Sequence, residues 1–277
     1  MKTPYPENEY TVQTEPGYKE RSYHWKTAIG LQQVDGLTPS GYLLETANAN
    51  IEGKISLDEA EKRINDYYES KPAVAGTDKR TEEADKVSLR ITGLLSEKAF
   101  SLSPVELISI HKRLFEGIYD FAGKLRDYNI SKNEWVLDGA TVLYASGYNV
   151  RDTLDHDFAL EKSFSYENMD ECKMIRHITK FISDLWQIHP FGEGNTRAVA
   201  VFAIKYLNTF GYEVTNDTFE KHSWYFRNSL VRANYNNNKG GVKATQVYLD
   251  RFFDNLLLSG NHILKNRELH VSYKGVL

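Results

Sequence analysis

The sequence predicts an all-α fold with one small β-hairpin. Most of the chain consists of segments whose apolar residues recur three and four positions apart, the spacing of a helix with one buried face. Several segments open with a capping signal, as at Ser56 and Ser103. One stretch differs, because β-prone residues flank Asp138-Gly139, which is typical of a hairpin turn. With 277 residues, 41% of them hydrophobic, the chain can bury a sizeable core.

Ten helices are predicted along the chain, with polar or Gly- and Pro-containing connections. They are expected over residues 21–34, from 38, 56–68, 81–95, from 103, 148–161, 170–187, up to about 210, 216–235 and 243–258. Pro39 favours a first helical turn, and Gly211 is a suitable C-terminal glycine. Residues 71–76 are expected to be a linker, and the Asn- and Gly-rich residues 234–241 a loop.

The composition excludes several classes of protein. A net charge of −4 and a pI of about 6.1 argue against a duplex nucleic-acid partner, which normally requires many basic residues. Cys172 is the single cysteine, so no intrachain disulfide forms, and a buried thiol is favoured over a nucleophile. No apolar run approaches the roughly 18 residues of a membrane span. We therefore expect a cytoplasmic protein with no membrane partner.

The most informative segment covers residues 189–197, His-Pro-Phe-Gly-Glu-Gly-Asn-Thr-Arg, and an apolar helix follows it directly. Glycines let a backbone approach an anion closely, and the free N–H groups of a helix start point at it. Arg197 adds a guanidinium, while the charge of Glu193 favours a bridging Mg²⁺ between carboxylate and phosphate. His189 is placed to accept a proton from an attacking hydroxyl.

This segment resembles the signature of the Fic family (the Fic/Doc, or Fido, fold), which reads His-Pro-Phe-x-Asp/Glu-Gly-Asn-Gly-Arg-x-x-Arg. Fic proteins typically transfer AMP from ATP to a hydroxyl side chain of a target protein. The resemblance implies that His189 is the general base and that Glu193 holds Mg²⁺. The residues that it implies for the nucleotide phosphates are Gly194, Asn195, Thr196 and Arg197.

Other stretches of the chain, over roughly residues 100–260, also resemble the family. Residues 121–126 resemble an aromatic-Ala-Gly-x-x-Arg segment that precedes the active-site flap, and residues 134–144 resemble the flap, a hairpin that aligns the target by strand addition. The implied target-docking residues are Trp135, Leu137, Asp138 and Gly139, with ordinary packing as the alternative for Trp135 and Leu137. Candidates for the nucleotide-base pocket are Tyr225, Asn228 and Asn234.

Two positions depart from the signature. Thr196 replaces a Gly, and its hydroxyl either crowds the phosphates or donates to them. Ala200 replaces the second Arg, which removes a charge-assisted bond of about 1.5–3 kcal/mol. The departures predict weaker catalysis or a nucleotide held differently, and Arg227 and Arg232 are candidates to compensate.

The amino-terminal region resembles the small antitoxins that partner some bacterial Fic toxins. Those carry a Ser/Thr-x-x-x-Glu-Gly helix end whose Glu binds the second Arg and blocks ATP. In one register the motif falls on Leu31 and Asp35, and in a competing register on Asn48 and Glu52. Either Asp35 or Glu52 is then the inhibitory acid, and the loss of the Arg at position 200 favours the hypothesis that this brake is vestigial.

Together these features predict four regions and one function. We expect an extended arm (residues 1–20), an antitoxin-like helical region (21–75), a Fic domain (76–262) and a tail (263–277). The expected function is AMP transfer from ATP, with Mg²⁺, to a target protein. The alternatives are a degenerate nucleotide- or partner-binding module and an enzyme with another nucleotide or phosphoryl donor. A homodimer is compatible with either class.

Overall fold

A computed structural model describes residues 16–70, 77–212, 214 and 217–273 of the chain. The predicted all-α class is confirmed by this architecture. The helices are α1 (Tyr18–Leu31), α2 (Gly41–Ile51), α3 (Leu57–Glu69), α4 (Thr77–Ser96), α5 (Pro104–Phe115), α6 (Val150–Ser163), α7 (Glu171–Ile188), α8 (Asn195–Thr209), α9 (Thr218–Ala233) and α10 (Val247–Leu257). The expected linker at residues 71–76, and the expected arm as far as residue 15, lie outside the described residues.

The capping signals locate several helix starts well. Ser56 accepts a hydrogen bond from the Glu59 N–H at 3.1 Å, and Ser103 accepts one from Glu106 at 3.2 Å. The start expected at Thr38-Pro39 is wrong, because Ser40 caps α2 by accepting from the Leu43 N–H at 3.0 Å. A side chain that satisfies an otherwise unpaired N–H fixes where a helix begins.

Helix α8 is the centre of the molecule, and every residue from Asn195 to Leu207 is buried. Helices α4, α5 and α7 pack around it. A helix that is apolar on all sides belongs inside a core, which explains the continuous apolar sequence after the signature segment. Among the residues that the structure describes, no helix combines the length and the apolar character required to cross a bilayer.

Helix α1 contributes to two cores and connects the amino-terminal region to the rest. Its Ala28 and Leu31 join the main core, whereas Trp25 packs in a smaller core between α1, α2, α3 and α4. Gly30 lies against α9 so closely that a Cβ there would come within 2.6 Å of the Glu220 Cα. The amino-terminal helices therefore pack directly on the expected Fic domain.

Residues 134–144 do not form the expected hairpin. The Asp138-Gly139 turn exists, with φ of 58° and 84°, but the described residues around it contain no strand. Residues Trp135–Leu137 form a 3₁₀ turn instead, and the N–H groups of Leu137 and Gly139 both donate to the Glu134 carbonyl at 3.0 Å. These local bonds use the groups that a strand ladder would need. We refer to residues 134–144 as the flap.

Candidate functional site

His189 lies at the junction where α7 ends. It adopts a left-handed conformation, with φ of 51°, and Pro190 follows, which disfavours a further helical residue. Its ring lies beneath the flap, 4.3 Å from the Tyr144 ring, and only 6% of the residue is exposed. The flap thus covers the residue predicted to be the general base.

The hydrogen bonds of His189 determine which ring nitrogen is free to accept a proton. Its Nδ1 lies 3.1 Å from the Trp186 carbonyl oxygen, which can only accept, so Nδ1 carries the proton and Nε2 keeps its lone pair. Burial, reinforced by the charge of Lys132, lowers the pKa of His189 to about 3. The ring is therefore neutral near neutral pH, as a proton acceptor must be.

Two buried side chains hold the loop between α7 and α8. Arg126 donates from Nε to the His189 carbonyl at 2.7 Å and from Nη2 to the Ile188 carbonyl at 3.0 Å. His111 lies flat on Phe191, with ring centroids 3.7 Å apart, and its Nε2 donates to the Glu193 carbonyl at 3.0 Å. Burial lowers the pKa of His111 to about 4, so it is a neutral, packed histidine.

The residues predicted to bind phosphates are close together but mostly engaged with the protein itself. Gly194 has a φ of 76°, and a Cβ there would come within 2.4 Å of the Phe115 ring, so only glycine fits. The Asn195 side chain accepts from the Phe191 N–H and donates to the Phe191 carbonyl, both at 2.9 Å. Thr196 accepts from the Trp186 indole at 3.0 Å. The Thr196 hydroxyl is therefore turned towards α7.

Arg197 is fully buried (0% exposed) and two acidic residues clamp it. Its Nε lies 2.8 Å from an Asp35 carboxylate oxygen, and its Nη2 donates to Glu83 at 2.7 Å. Burial by itself opposes the charged form, but the neighbouring charges, Asp35 foremost, prevail, and the pKa of Arg197 is raised. We call this arrangement the Asp35–Glu83 clamp.

The structure places only one of the two candidates for the inhibitory acid, Asp35 and Glu52, next to Arg197. Asp35 ends the 3₁₀ turn after α1 and contacts Arg197, while position 200, where the family has its second Arg, is an alanine in the core. Glu52 follows α2 at the surface and pairs with Lys54. Asp35 therefore lies in the site, and Glu52 lies away from it.

Glu83 is a site residue that sequence reasoning missed. Glu83 lies four positions before Val87 and eight before Ile91, on the apolar stripe of α4. A carboxylate on the same helix face as buried apolar residues is costly unless it is paired, so its position in the sequence indicates a nearby buried cation.

A cavity of about 450 Å³, here called the Arg197 cavity, opens beside the clamp. Its charged lining comprises Asp35, Arg80, Glu83, Lys132, Glu193, Arg197 and Arg227. Glu193 is part-exposed, with its carboxylate 3.2 Å from the Lys132 ammonium. The described residues contain no group of three or more His, Cys, Asp or Glu that could hold a metal by themselves. A single accessible carboxylate does fit Mg²⁺ carried by phosphates, which supply the other ligands.

The remaining predicted residues divide into packed and exposed groups. In the flap, Leu137 is buried, whereas Trp135 is 50% exposed and Leu143 is 84% exposed. Tyr225 and Asn228 are buried, and Asn234 donates to the Leu230 carbonyl at 3.0 Å. On α9 it is Trp224 and Arg227 that line the Arg197 cavity.

Neither candidate for the missing arginine compensates directly. Arg227 reaches the Arg197 cavity, but it makes a buried two-pronged pair with Glu134, at 2.6 and 2.9 Å. This pair anchors the flap to α9. Arg232 donates to the Leu269 carbonyl at 2.6 Å and lines a different cavity.

Comparison with known proteins identifies the class. Residues 101–207 match the sequence model of the Fic/DOC family. The chain is 21% identical over 145 residues to the probable protein adenylyltransferase Fic of Escherichia coli (strain K12). That alignment covers 52% of this chain and 66% of the relative, just under two thirds of the relative's length.

Solved structures agree with the helical architecture. The amino-terminal Fic domain of a Bartonella effector protein (Bartonella sp. AR 15-3) superposes with a TM-score of 0.50 at 20% identity, over 67% of this chain and 84% of that one. BepC of Bartonella tribocorum, solved with bound AMPPNP, gives 0.51 at 16% identity, over 66% and 88%. Residues 101–207 of this chain are therefore similar to the Fic/DOC family, and the helical fold is shared with these two Fic proteins.

Proposed function

We propose that the protein transfers AMP from ATP to a hydroxyl side chain of a target protein. The observation that carries this proposal is the geometry of His189, whose Nδ1 lies 3.1 Å from the Trp186 carbonyl oxygen, so that Nε2 is left to accept a proton under the flap. The E. coli relative is named as a probable protein adenylyltransferase, and BepC binds an ATP analogue. Both support nucleotide chemistry in this family.

In the proposed reaction the target hydroxyl oxygen attacks the α-phosphorus of ATP. His189 Nε2 takes the hydroxyl proton, the bond from the α-phosphorus to the bridging oxygen breaks, and pyrophosphate leaves. The free N–H groups at the start of α8 would bind the phosphate charge, because a helix start has amides without helical partners. The flap would exclude water and align the target segment.

Glu193 is the residue that would hold Mg²⁺, and Lys132 beside it would meet a phosphate oxygen. When bound, Mg²⁺ supplies charge neutralisation to the phosphates. Asn195 acts differently from the sequence expectation in this proposal. It fixes the loop through Phe191 rather than contacting the nucleotide.

The Asp35–Glu83 clamp would restrain the reaction, since it occupies the guanidinium expected to bind phosphate. Two carboxylates beside the Arg197 cavity also repel the charge of ATP. The sequence favours the hypothesis that inhibition by the amino-terminal acid is vestigial. We propose instead that Asp35 inhibits by pairing with Arg197, since position 200 is an alanine.

Intact-mass spectrometry of the purified protein after incubation with ATP and Mg²⁺ tests the proposal, with His189→Ala as the matched variant. Self-modification by one AMP in the wild type and none in the variant is the expected result. A different added mass would indicate another donor. If neither the protein nor any protein of a cell lysate gains AMP, the proposal fails.

A further inference from the structure

A second cavity, of about 760 Å³, lies where the end of α9, the first turns of α10 and the carboxyl-terminal segment meet. We call it the Arg232 cavity. It shares no lining residue with the Arg197 cavity. The lining residues that matter here are Arg232, Lys243, Val247, Tyr248, Arg251 and His270. Its size is that of a site for a small ligand or for a few side chains of a partner.

The Arg232 cavity is strongly cationic. The guanidinium carbons of Arg232 and Arg251 lie 5.6 and 6.0 Å from the centre of the Tyr248 ring, and Lys243 adds a third charge. Glu268 is the only carboxylate among the described lining residues, and Lys265 lies 4.0 Å from it. Three cations against one carboxylate leave an excess of positive charge, which attracts an anionic ligand.

Arg232 is built into the wall of this cavity rather than carried on the surface. It is 9% exposed, and its Nη1 donates to the Leu269 carbonyl at 2.6 Å. Its Nε is buried with no hydrogen-bond partner in the described part of the chain, and burial lowers the pKa of Arg232. A buried guanidinium with an unsatisfied donor is destabilising by itself, and an acidic group in the cavity that Arg232 lines would stabilise the charge of its guanidinium.

The surface around the cavity is aromatic and continues to the flap. His270 packs edge-on against Trp135, with ring centroids 5.0 Å apart, and the Val271 N–H donates to the Val136 carbonyl at 2.9 Å. Val247 and Tyr273 on the rim are exposed. Exposed aromatic residues together with arginines are typical of protein interfaces, which favours a polypeptide over a free anion.

One loop therefore connects two sites. The flap touches the Arg232 cavity through Trp135, and through Tyr144 it lies 4.3 Å from the His189 ring. A polypeptide that crosses the flap can place a hydroxyl near His189 and, further along its chain, side chains in the cavity.

We propose that the Arg232 cavity docks an acidic segment of the protein that the enzyme modifies. The segment carries carboxylate or phosphate side chains, which pair with Arg251 and Lys243 and stabilise the charge of the Arg232 guanidinium. Its identity as the modified protein rests on the proposed AMP transfer, whereas the docking of an acidic peptide does not depend on it.

Isothermal titration calorimetry with the 277-residue chain, without nucleotide, tests the docking. The probes are a short Glu-rich peptide, its phosphoserine counterpart, its Gln counterpart and inorganic phosphate. We expect one or both acidic peptides to bind and the Gln peptide not to bind. Arg251→Glu or Lys243→Glu should weaken the affinity at least about tenfold, as loss of a charge-assisted contact implies. Lys62→Glu, the same charge change at an exposed position on α3, should not weaken it.

The Glu and phosphoserine peptides distinguish the two sources of negative charge. Equal binding to the wild type and Arg251→Glu, or no binding of either acidic peptide, would overturn the docking proposal. Binding of inorganic phosphate alone would do so as well, because it would indicate a site for a free anion.

A second measurement separates this proposal from AMP transfer. Labelling of lysate proteins with isotopic ATP should fall in Arg251→Glu relative to Lys62→Glu. If the wild type neither modifies itself nor labels lysate proteins, AMP transfer fails, while the peptide titration still decides the docking. If labelling occurs and is equal in both variants, the cavity does not dock the modified protein.

Discussion

The two ends of the segment 189–197 are stabilised in opposite ways. At its start, the His189 ring is neutral, and the hydrogen bond from its Nδ1 to the Trp186 carbonyl leaves Nε2 available. At its end, Arg197 is charged, and its guanidinium is paired with the carboxylates of Asp35 and Glu83. The difference shows that one segment can leave its proton acceptor, His189 Nε2, unpaired while the guanidinium expected to bind phosphate, that of Arg197, is paired with carboxylates of the protein itself.

The largest expected effect comes from the His189 end. His189→Ala should lower AMP transfer by about 100- to 10,000-fold, the usual contribution of a positioned base. ATP affinity, measured by calorimetry, should stay the same, because the side chain meets the hydroxyl and not the phosphates. A parallel loss of ATP binding would show that the two ends do not act separately.

At the Arg197 end, Asp35→Asn and Glu83→Gln should each tighten ATP binding by about ten- to a hundredfold. Glu83→Gln frees a charge-assisted hydrogen bond of the guanidinium, of about 1.5–3 kcal/mol, and Asp35→Asn removes a close opposite charge. Glu82→Gln is the matched control, since Glu82 pairs with Lys86 on the same helix. Equal affinities for the wild type and both clamp variants would mean that Arg197 has only a structural role.

A smaller effect concerns the acid stability of the loop between these ends. The folded-state pKa of His111, about 4, lies below the ordinary 6.5, so its neutral form stabilises the fold fully above about pH 6.5. That stability is lost as the pH falls towards 4. Urea unfolding at a series of pH values should show the wild type losing about 1–3 kcal/mol more than His111→Gln over this range. If the unfolding free energies of the wild type and of His111→Gln changed equally with pH, His111 would not be the neutral, buried histidine described here.

The smallest effect is expected at Thr196, whose hydroxyl accepts from the Trp186 indole. Thr196→Val should cost about 1–3 kcal/mol of unfolding free energy, because it leaves a buried donor unpaired, and Thr196→Ser should retain the bond. Neither change should affect ATP affinity. A tighter nucleotide complex in Thr196→Val would show instead that the hydroxyl hinders the phosphates.

Local signals explain why much of the fold was predictable. Ser56 and Ser103 satisfy N–H groups three residues away, so the sequence itself contains both partners of each cap. Trp135 and its neighbours show where such signals mislead. The Asp138-Gly139 turn formed, but Glu134 is held by Arg227 from α9, and the backbone before the turn coiled into a 3₁₀ turn.

The site was predictable only in part for the same physical reason. The backbone of residues 189–197 is shaped by its own Pro and Gly residues, so its role could be inferred from the resemblance. The clamp joins residues that are far apart in sequence, and α1, α4 and α8 must pack before Asp35, Glu83 and Arg197 meet. The cationic Arg232 cavity likewise collects side chains from α9, α10 and the carboxyl-terminal segment.

Intact-mass spectrometry of three proteins after incubation with ATP and Mg²⁺ tests the contrast between the two ends most directly. The proteins are the wild type, the double variant Asp35→Asn with Glu83→Gln, and the same double variant with His189→Ala. We predict a larger AMP-modified fraction in the double variant than in the wild type, and none once His189 is removed. A double variant that gains no AMP would contradict the proposal that Asp35 and Glu83 keep Arg197 from binding phosphate. A triple variant that still gains AMP would contradict the proposal that His189 is the general base.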